Sequence, residues 1–412
     1  MNRSLEPFEI CHIRPPTENN SLTIRLTRNC GWNRCSFCPV YKGHAVFSRR
    51  TIDDVQADIE RIGRIDDLLH QEAILSSSSQ AEAFKKAEEL IRPWEKEIKK
   101  HSASSSDDWF SPWFKEESDL RDSVFHVLSW RLGGGETCFL GDADSLILSA
   151  DFFTDVMARV TKSFPSVKRF TVYGRTASAA RKPLEELIAF REAGLHRIHF
   201  GLESGSDKVL NFMNKGETAE KHIKGCRKTK EAGLSCSVYI MPGLGGAEWS
   251  EEHGRETARV INESSPDFIR LRTLEIFPET PLQAAALNGS FREAPEEQVV
   301  SEIRQLIEAI EVDTVLYSDS ASNLLTVNGR LPHNKEAMYR LIDRYLDLTP
   351  RGKLEFSLMA RLTSFHGQYG GLTQEILTAL QPFILDEHLN LAIASDHELI
   401  RLIRLIRSRL MP

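Results

Sequence analysis

The chain reads Ser21-Leu22-Thr23-Ile24-Arg25-Leu26 and, one residue later, Arg28-Asn29-Cys30-Gly31-Trp32-Asn33-Arg34-Cys35-Ser36-Phe37-Cys38. The first run alternates apolar and polar residues, which is typical of a β-strand. The second run places three cysteines in the spacing C-x4-C-x2-C just after that strand. Three thiolates in one loop can bind three irons of a four-iron cluster, which leaves the fourth iron open to a small molecule. The stretch therefore predicts a redox-initiated enzyme rather than a passive metal-binding module.

Zinc is the alternative metal for these cysteines. A structural zinc site needs four ligands, usually from two paired motifs, and the sequence has no second C-x2-C. His44 could supply the fourth ligand. A disulfide framework does not fit, because the seven cysteines are an odd number and a chain of 412 residues is too long to need disulfides.

Composition narrows the class of protein. Of the 412 residues, 41% are hydrophobic, enough for a sizeable core, and the formal net charge is −7 with both signs well mixed. This balance makes nucleic-acid binding unlikely as a function and gives no sign of a membrane surface. The N-terminus is short and polar, and no run approaches about 18 apolar residues, so neither a signal peptide nor a transmembrane helix is predicted. With free thiols and no export signal, we expect a cytoplasmic protein.

From about residue 21 to about residue 280, short apolar runs alternate with amphipathic helical patterns. The predicted strands are 21–26, 137–140, 169–173, 197–202, 235–241 and 268–274, and the predicted helices are 52–65, 150–164, 183–193, 219–232 and 250–263. This alternation is typical of parallel βαβ units. Six such units predict an α/β fold of the partial (β/α)6 TIM-like barrel type, although an open doubly wound sheet also fits the pattern.

The alternation of strands and helices is interrupted once by an insertion, and it gives way to a mainly helical pattern in the C-terminal region. We divide the chain into an N-terminal extension over 1–20, a core over 21–290 with an insertion over 71–132, and a mainly helical C-terminal region over 291–412. The insertion contains a predicted helix over 80–100, a serine-rich link, and the aromatic residues Trp109, Phe110, Trp113 and Phe114. The C-terminal region contains predicted helices over 297–310 and 335–348, a linker over 349–352, and almost continuous helix over 372–409.

Unusual residues follow the predicted strands. In parallel α/β barrels, catalytic groups gather at the carboxyl ends of the strands. After the cysteine loop, the later strands run into the turns Gly141-Asp142-Ala143-Asp144-Ser145, Tyr173-Gly174-Arg175, Gly201-Leu202-Glu203-Ser204-Gly205-Ser206 and Met241-Pro242-Gly243-Leu244-Gly245-Gly246. Arg270 and Arg272 lie on one face of the sixth strand. A buried arginine needs an anionic partner, either a bound ligand or an internal carboxylate such as Glu203 or Asp142.

Together these motifs resemble the radical S-adenosylmethionine (radical SAM) enzymes. The usual cluster motif of that family is C-x3-C-x2-C with an aromatic residue before the last cysteine, and Phe37 fills that aromatic position. The first gap is one residue longer here, as in a subgroup of Elp3/MiaB/NifB-like proteins. The resemblance covers roughly residues 14 to 290. It implies that Cys30, Cys35 and Cys38 bind a [4Fe–4S] cluster.

The resemblance also implies cofactor contacts at two strand ends. Gly141 aligns with the first glycine of the family's Gly-Gly-Glu turn, which binds the cofactor's amino group, and Asp142 or Asp144 would replace the missing acid. Glu203 and the adjacent Ser204 match the fourth-strand motif that contacts the ribose or methionine part of SAM.

Other cofactor contacts come from the cysteine loop and the fifth strand. Phe37 is expected beside the cofactor, and the segment from Ile240 to Gly243 resembles the one that lies against the adenine. The catalytic residues stay unassigned, with three candidates on the third and sixth strands: Tyr173, Arg175 and Arg272.

The function that the resemblance implies is radical generation. A [4Fe–4S] cluster cleaves SAM reductively to a 5′-deoxyadenosyl radical, which abstracts hydrogen from an unidentified substrate, and a ferredoxin or flavodoxin would supply the electron. A nucleic-acid-modifying enzyme is a minority reading, because the chain is acidic and lacks a basic C-terminal module. The alternative is a non-catalytic iron–sulfur or zinc-binding structural or carrier protein, favoured only by the altered Gly-Gly-Glu turn.

Overall fold

The computed structural model describes residues 5–11, 13–42, 46–98 and 118–411. His44, the serine-rich link and the aromatic residues at 109–114 lie outside these ranges. Across the described residues, no helix is both long enough and apolar enough to span a membrane.

The chain has an α/β fold with a mostly parallel eight-stranded sheet and a mainly helical C-terminal region. In the described residues the strands are β1 Leu22–Arg25, β2 Thr27–Arg28, β3 Ser48–Arg49, β4 Thr137–Gly141, β5 Arg169–Gly174, β6 Leu195–Glu203, β7 Ser235–Ile240, β8 Phe268–Leu271, β9 Thr314–Tyr317, β10 Gly329–Leu331, β11 Ile384–Leu385 and β12 His388–Leu389. The helices are α1 Ile52–Gln71, α2 Gln80–Ile98, α3 Leu120–Leu132, α4 Ala150–Ser163, α5 Thr176–Arg181, α6 Leu184–Glu192, α7 Asp207–Phe212, α8 Ala219–Glu231, α9 Ser250–Ser264, α10 Pro281–Leu287, α11 Glu296–Ala309, α12 Lys335–Leu346, α13 Pro350–Tyr369, α14 Gln374–Leu380 and α15 Asp396–Arg407.

The chain divides into two compact units. The first unit comprises Met1–Asn33, Tyr41–Phe200 and Lys228–Cys236, and the second comprises Arg34–Val40, Gly201–Arg227 and Ser237–Pro412. The boundary between them thus falls inside the cysteine loop, with Cys30 in the first unit and Cys35 and Cys38 in the second.

The sheet of the first unit has one apolar and one polar face. Strands β1, β4, β5 and β6 pair in that order and run parallel. One cross-strand row consists of fully buried aliphatic side chains, namely Ile24, Leu140, Val172 and Ile198. Side chains alternate between the two faces of a strand, so the opposite face carries Arg25, Thr171, Tyr173 and His199. The polar groups of this unit therefore share one side of the sheet.

The second unit repeats this arrangement. Strands β7, β8 and β9 run parallel, and β10 is antiparallel to β9. Val238, Ile269 and Leu316 form a buried aliphatic row. The other face carries Tyr239, Arg270 and Tyr317 in register. The predicted α/β fold of the partial-barrel type is confirmed.

Local signals placed most helix boundaries correctly. The start of α1 follows Thr51, whose side chain accepts a hydrogen bond from the Asp54 N–H, while the Asp54 carboxylate accepts one from the Thr51 N–H. The predicted helices at 150–164, 183–193, 219–232, 250–263, 297–310 and 335–348 all exist, each with bounds within two residues of the prediction. The first helix runs six residues beyond its predicted end at 65.

Two predictions for the C-terminal region were wrong, and the region also contributes two strands that the sequence pattern did not indicate. Two strands, β9 and β10, come from this region and extend the sheet beyond the six predicted strands. The predicted linker at 349–352 begins α13 instead, because Thr349 caps the helix and Pro350 occupies its first position. The stretch 372–409 is not continuous helix: Pro382 follows α14, and β11 and β12 form a hairpin before α15. The predicted domain bounds themselves stay a prediction.

Candidate active site

Exposure separates the three motif cysteines from the others. Cys30, Cys35 and Cys38 are partly exposed, whereas the four remaining cysteines are buried, and all seven are free thiols. Burial raises the pKa of the Cys11 and Cys138 thiols, which keeps them protonated. Because a thiolate is the species that binds metal, the motif cysteines are the better candidate ligands.

In the first unit, Cys30 is held by the residues on either side of it. Asn29 has a left-handed backbone with φ 70°, and its side-chain oxygen accepts a 2.6 Å hydrogen bond from the Cys30 N–H. The Asn33 N–H points at the Cys30 Sγ from 3.5 Å. These contacts fix the position of the sulfur, as a metal ligand requires.

Asp142 ties this loop to the end of β4. Its Oδ2 accepts hydrogen bonds from the Asn29 N–H at 3.1 Å and from Arg25 Nε at 2.9 Å, and it lies 2.8 Å from Arg25 Nη2. Burial raises the pKa of Asp142 to about 6, although the positive charge of Arg25 acts to lower it. Its other oxygen, Oδ1, is buried and accepts no hydrogen bond from any described residue. A buried carboxylate oxygen without a donor is costly, so Oδ1 is a fitting acceptor for a ligand's ammonium group.

Residues of the N-terminal extension contact Arg25, Arg28 and Gly141. Glu9 Oε2 lies 3.3 Å from Arg25 Nη1, and Glu9 Oε1 lies 2.5 Å from Arg28 Nη2. Burial of the Glu9 carboxylate would raise its pKa, but the neighbouring arginines outweigh this effect and lower the pKa. At Gly141, a Cβ would lie only 2.3 Å from the Cys11 Sγ, so no larger residue fits while Cys11 packs there. The extension, whose role the sequence did not indicate, thereby shapes the turn that contains Gly141 and Asp142.

Asp144, the other candidate acid, has a local role. Its carboxylate accepts hydrogen bonds from the Arg175 N–H at 3.0 Å and from the Ser178 hydroxyl at 2.6 Å. Both contacts lie at the beginning of α5, which the carboxylate stabilises as a cap would. Between the two acids, Asp142 is therefore the better candidate for a cofactor contact.

The two first-unit catalytic candidates differ in their surroundings. The guanidinium group of Arg175 lies 4.9 Å from the ring centre of Trp32, so the end of β5 meets the cysteine loop within this unit. Tyr173 makes edge-to-face contacts with Phe139 and His199 on the polar face of the sheet. His199 is fully buried, as expected of a packed residue.

In the second unit, Glu203 is paired with a lysine that the sequence did not single out. Glu203 Oε1 lies 3.0 Å from Lys215 Nζ, and both side chains are about nine-tenths buried. The ammonium group also lies 5.9 Å from the ring centre of Phe37. The backbone of Glu203 is left-handed with φ 65°, which costs about 1–3 kcal/mol for a non-glycine residue. Strain of this kind is held by the surrounding packing and is common at binding sites.

Gly201 leaves the space that this pair occupies. A Cβ at that position would lie 2.4 Å from Glu203 Oε1 and 3.1 Å from Lys215 Nζ. The Glu203–Lys215 pair can therefore take this geometry only if residue 201 has no side chain.

We expect Gly201→Ala to weaken SAM binding at least about ten-fold, because the methyl group displaces a buried charge pair. Its effect on stability should be small, since the atoms it meets are the ends of flexible side chains. Equilibrium binding of SAM to the reconstituted chain measures the first effect, and thermal unfolding measures the second. Gly63→Ala is the matched control, because a Cβ there meets nothing within 4 Å. Unchanged SAM affinity in Gly201→Ala would remove Glu203 and Lys215 from the site.

The remaining second-unit candidates have mostly structural contacts. The Ser204 hydroxyl is buried and accepts a 3.0 Å hydrogen bond from the Ser206 N–H, which closes a turn. Ile240 pairs with Leu271 on the apolar face of the sheet, so only its backbone could reach a cofactor on the polar face. Arg272 donates a 2.9 Å hydrogen bond to the Met411 carbonyl oxygen near the end of the chain. Arg270 pairs with Asp319 at 2.5 Å, so the predicted anionic partner is internal but is neither Glu203 nor Asp142.

A buried carboxylate that no sequence motif indicated holds the glycine-rich segment. Glu302 accepts hydrogen bonds from the Gly243 N–H at 2.9 Å and from the Ser250 hydroxyl at 2.6 Å, and its Oε1 lies 2.9 Å from His253 Nδ1. His253 Nε2 in turn lies 3.3 Å from the Glu203 carbonyl oxygen. Gly243 itself has φ 84°, a conformation that favours glycine. The network joins the two segments that the sequence assigned to cofactor binding.

The Glu302 carboxylate raises the pKa of His253, although desolvation, the largest influence, opposes it. The charged imidazole therefore contributes stability below its unfolded pKa, and this contribution is lost as the pH rises through the folded pKa. We expect the difference in unfolding free energy between the native chain and His253→Gln to shrink from pH 6 to pH 9. Denaturant unfolding at both pH values measures it, with the exposed His397→Gln as control. A difference that grows with pH would contradict the ion pair.

Cys35 and Cys38 pack on an apolar cluster of the second unit. Its buried members include Phe37, Met213, Met241 and Leu244. The backbone of Ser36 is fixed on both sides, because its N–H donates to the Met213 carbonyl at 2.8 Å and its carbonyl accepts from the Leu282 N–H at 3.0 Å. This half of the loop therefore packs on an apolar cluster, while its two cysteines stay partly exposed.

In the parts of the chain that the structure describes, no three His, Cys, Asp or Glu side chains are grouped closely enough to hold one ion. In a four-iron cluster, by contrast, each cysteine binds a different iron.

Comparison with known proteins points to one superfamily. The protein-family model described as "Radical SAM superfamily" matches residues 112–257 of this chain. The tRNA uridine(34) acetyltransferase of Methanocaldococcus jannaschii is 25% identical over 119 residues, which is 28% of this chain and 22% of that protein. The biotin synthase of Hydrogenobaculum sp. is 31% identical over 106 residues, which is 26% of this chain and 31% of that protein.

Among solved structures, the Elp3 of Methanocaldococcus infernus with an N-terminal deletion is 16% identical. It matches with a TM-score of 0.38 over 50% of this chain and 54% of that chain. The chain spans less than a third of the length of the two curated relatives named above.

Proposed function

The chain belongs to the radical SAM superfamily, and on this premise we propose that it is an enzyme in which Cys30, Cys35 and Cys38 bind the cluster. Membership implies a [4Fe–4S] cluster and S-adenosylmethionine as cofactors. When bound, the reduced cluster supplies the electron that cleaves SAM to a 5′-deoxyadenosyl radical, which takes a hydrogen atom from a substrate still to be identified. The observation that carries this proposal is the contrast between three partly exposed motif thiols and four buried ones.

The residues of the first unit fit the amino end of SAM. Asp142 Oδ1 is a buried acceptor without a donor, and an ammonium group would satisfy it. Arg25 and the Asn29 N–H hold the other oxygen, so the carboxylate is oriented before the ligand arrives. Asp142 thus has the right chemistry for the acid of the altered Gly-Gly-Glu turn.

The residues of the second unit fit a second polar end and a flat ring. Lys215 and Glu203 offer one donor and one acceptor side by side, suited to a carboxylate or to ribose hydroxyls. Glu302 fixes the backbone at Gly243, and the ordered segment that ends there would lie against an adenine. The apolar cluster around Phe37 would limit solvent access to this part of the site.

Two further aspects of the function are also proposals. Radical SAM enzymes need a reductant, and we infer a ferredoxin or flavodoxin. We also infer a cytoplasmic location, supported by seven thiols that form no disulfide. Some relatives are tRNA-modifying proteins by name, but the net charge of −7 favours a substrate other than nucleic acid.

The test is an anaerobic turnover assay on the full chain. The protein is reconstituted with iron and sulfide, reduced with dithionite and given SAM, and 5′-deoxyadenosine is quantified against samples lacking dithionite or SAM. We expect about four irons per chain and reductant-dependent product. Four irons with no product and no spectral change on adding SAM would favour the non-catalytic carrier. Uptake of one zinc and no iron would overturn the proposal.

A further inference from the structure

Within the second unit, helix α9 holds the turn after β6, residues 203–206, in place. The Thr257 hydroxyl accepts a 2.9 Å hydrogen bond from the Gly205 N–H. Glu252 accepts a 2.7 Å hydrogen bond from the Ser206 hydroxyl. A Cβ at Gly205 would lie 2.3 Å from the Glu256 carbonyl oxygen, so the turn lies directly against the helix. The placement of this turn therefore depends on α9.

His253 of α9 joins this turn to the segment after β7, residues 241–246. Its Nε2 lies 3.3 Å from the Glu203 carbonyl oxygen. Its Nδ1 lies 2.9 Å from Glu302 Oε1, which also accepts a 2.9 Å hydrogen bond from the Gly243 N–H. Three hydrogen bonds in series thus connect the two segments through His253 and Glu302. These are the segments of the second unit that we assign to the adenosyl part of SAM.

Both ring nitrogens of His253 face hydrogen-bond acceptors. A carbonyl oxygen can only accept, and Glu302 Oε1 already accepts from the Gly243 N–H, so neither partner offers a proton to the ring. A neutral imidazole carries a proton on only one of its nitrogens, so the complete network requires the charged imidazole. Desolvation acts to lower the pKa of His253, but the Glu302 carboxylate outweighs it and the pKa is raised, in agreement with this geometry.

The charge of His253 depends on Glu302 above all. The imidazole is 1% exposed, and Glu302 of α11 is the carboxylate that pairs with it. On the β6 side, the ring meets a backbone carbonyl rather than a side chain. The other charged groups of the elements packed around the ring have partners of their own: Glu203 with Lys215, Glu248 with Trp249, Glu252 with Ser206, and Glu256 with Arg259.

We propose that Glu302 and His253 are positioning residues for SAM, and that the charged imidazole holds the two segments in the relative placement that the adenosyl part of the cofactor needs. When the ring loses its proton, the remaining N–H stays with the carboxylate, which is the stronger acceptor, and the bond to the Glu203 carbonyl is lost. The left-handed backbone of Glu203 then loses one of the contacts that hold it. This role rests on the proposed function, since it requires a chain that binds SAM.

The experiment is anaerobic calorimetry with 5′-methylthioadenosine on the full reconstituted chain between pH 6 and pH 10. This probe has the adenosyl part of SAM but neither its ammonium nor its carboxylate group, so the proposed contact with Asp142 does not enter the result. NMR of the imidazole signals, assigned by their absence in His253→Gln, follows the titration of His253. Because a charge-assisted hydrogen bond is lost, we expect the affinity to fall at least about ten-fold as His253 loses its proton.

Two variants separate positioning from stability. At pH 6, His253→Gln and Glu302→Gln should each bind the probe at least about ten-fold more weakly than the native chain, with an affinity that no longer changes with pH. Arg304→Gln is the matched control on α11, since it removes an ion pair with Asp343, and it should bind the probe as the native chain does. If Glu302→Gln does not fold, His253→Gln and the native pH profile decide, and if His253 stays charged up to pH 10, the variants decide.

The outcomes distinguish this role from the proposed function. A folded His253→Gln chain with native affinity, an imidazole that is neutral at pH 6, or an affinity that stays constant while His253 titrates would overturn the positioning role. If that chain still forms 5′-deoxyadenosine from SAM, the proposed function stands. Binding of SAM without binding of the probe would also overturn the positioning role, whereas a chain that binds neither would overturn both.

Discussion

The Cys35→Ala variant is expected to retain its fold and to form 5′-deoxyadenosine at least about 100-fold more slowly. Mutation of residues that only hydrogen-bond to metal ligands already lowers metal affinity or activity about 10–100-fold, so loss of a ligand itself should cost at least as much. Cys35 is partly exposed and lies at the edge of an apolar cluster, so its replacement leaves little cavity. What it removes is one of three thiolates, and the remaining two do not hold a four-iron cluster of ordinary stability. Iron content, the absorbance of the reconstituted cluster and product formation together measure the loss.

Cys226→Ala is the matched control for this prediction. Cys226 is fully buried on α8 and belongs to no motif. Its replacement should cost some stability through lost packing but leave iron content and product unchanged. If Cys35→Ala keeps the iron and the activity of the native chain, or if Cys226→Ala loses both, the assignment of the cluster ligands is wrong.

The Arg25→Leu variant should show the largest loss of stability. Arg25 is the charge partner of Asp142, whose side chain is completely buried, and removing one member of a buried pair costs about 3–5 kcal/mol. The loss should be greater at pH 8 than at pH 5, because at low pH the isolated Asp142 takes up a proton and no buried charge remains. Denaturant unfolding of the cluster-free chain at both pH values measures the effect.

A double variant distinguishes the charge from the packing. Arg25→Leu/Asp142→Asn leaves no charge at position 142 and should recover a large part of the lost stability at pH 8. It should not recover SAM binding, because the amide is a poorer acceptor for an ammonium group than the carboxylate. Arg340→Leu, at an exposed position of α12, is the control and should change stability by less than about 0.5 kcal/mol. Equal losses for Arg25→Leu at pH 5 and pH 8 would show that the pair does not act through its charge.

The cysteine loop and the strand before it illustrate what local sequence can predict. A short alternating run, a cluster of thiols and helix-ending glycines or prolines are all signals within about ten residues of one another. The six predicted strands and most predicted helices exist for this reason. The stretch 372–409 failed because its apolar spacing suits a helix, whereas Pro382 and the left-handed residues Asp386 and Glu387 turn the chain into a hairpin.

The charged residues illustrate what local sequence cannot predict. Arg270 and Arg272 were expected to share one environment, yet one pairs with Asp319 and the other binds the Met411 carbonyl oxygen. Neither partner is close in sequence. Lys215 and Glu302 were missed altogether, because a lysine in a loop and a glutamate on an amphipathic helix have no distinguishing pattern before the chain folds.

By itself, the sequence determined the alternation of strands and helices, the position of the cysteine loop and the turns that follow the strands. Each of these depends on residues close together in the chain. Only the tertiary structure decided which charges meet, such as Arg25 and Asp142 across 117 positions and His253 and Glu302 across 49. The physical reason is that a buried charge takes its partner from whatever the packing of distant elements brings near it, and its energy depends on that burial.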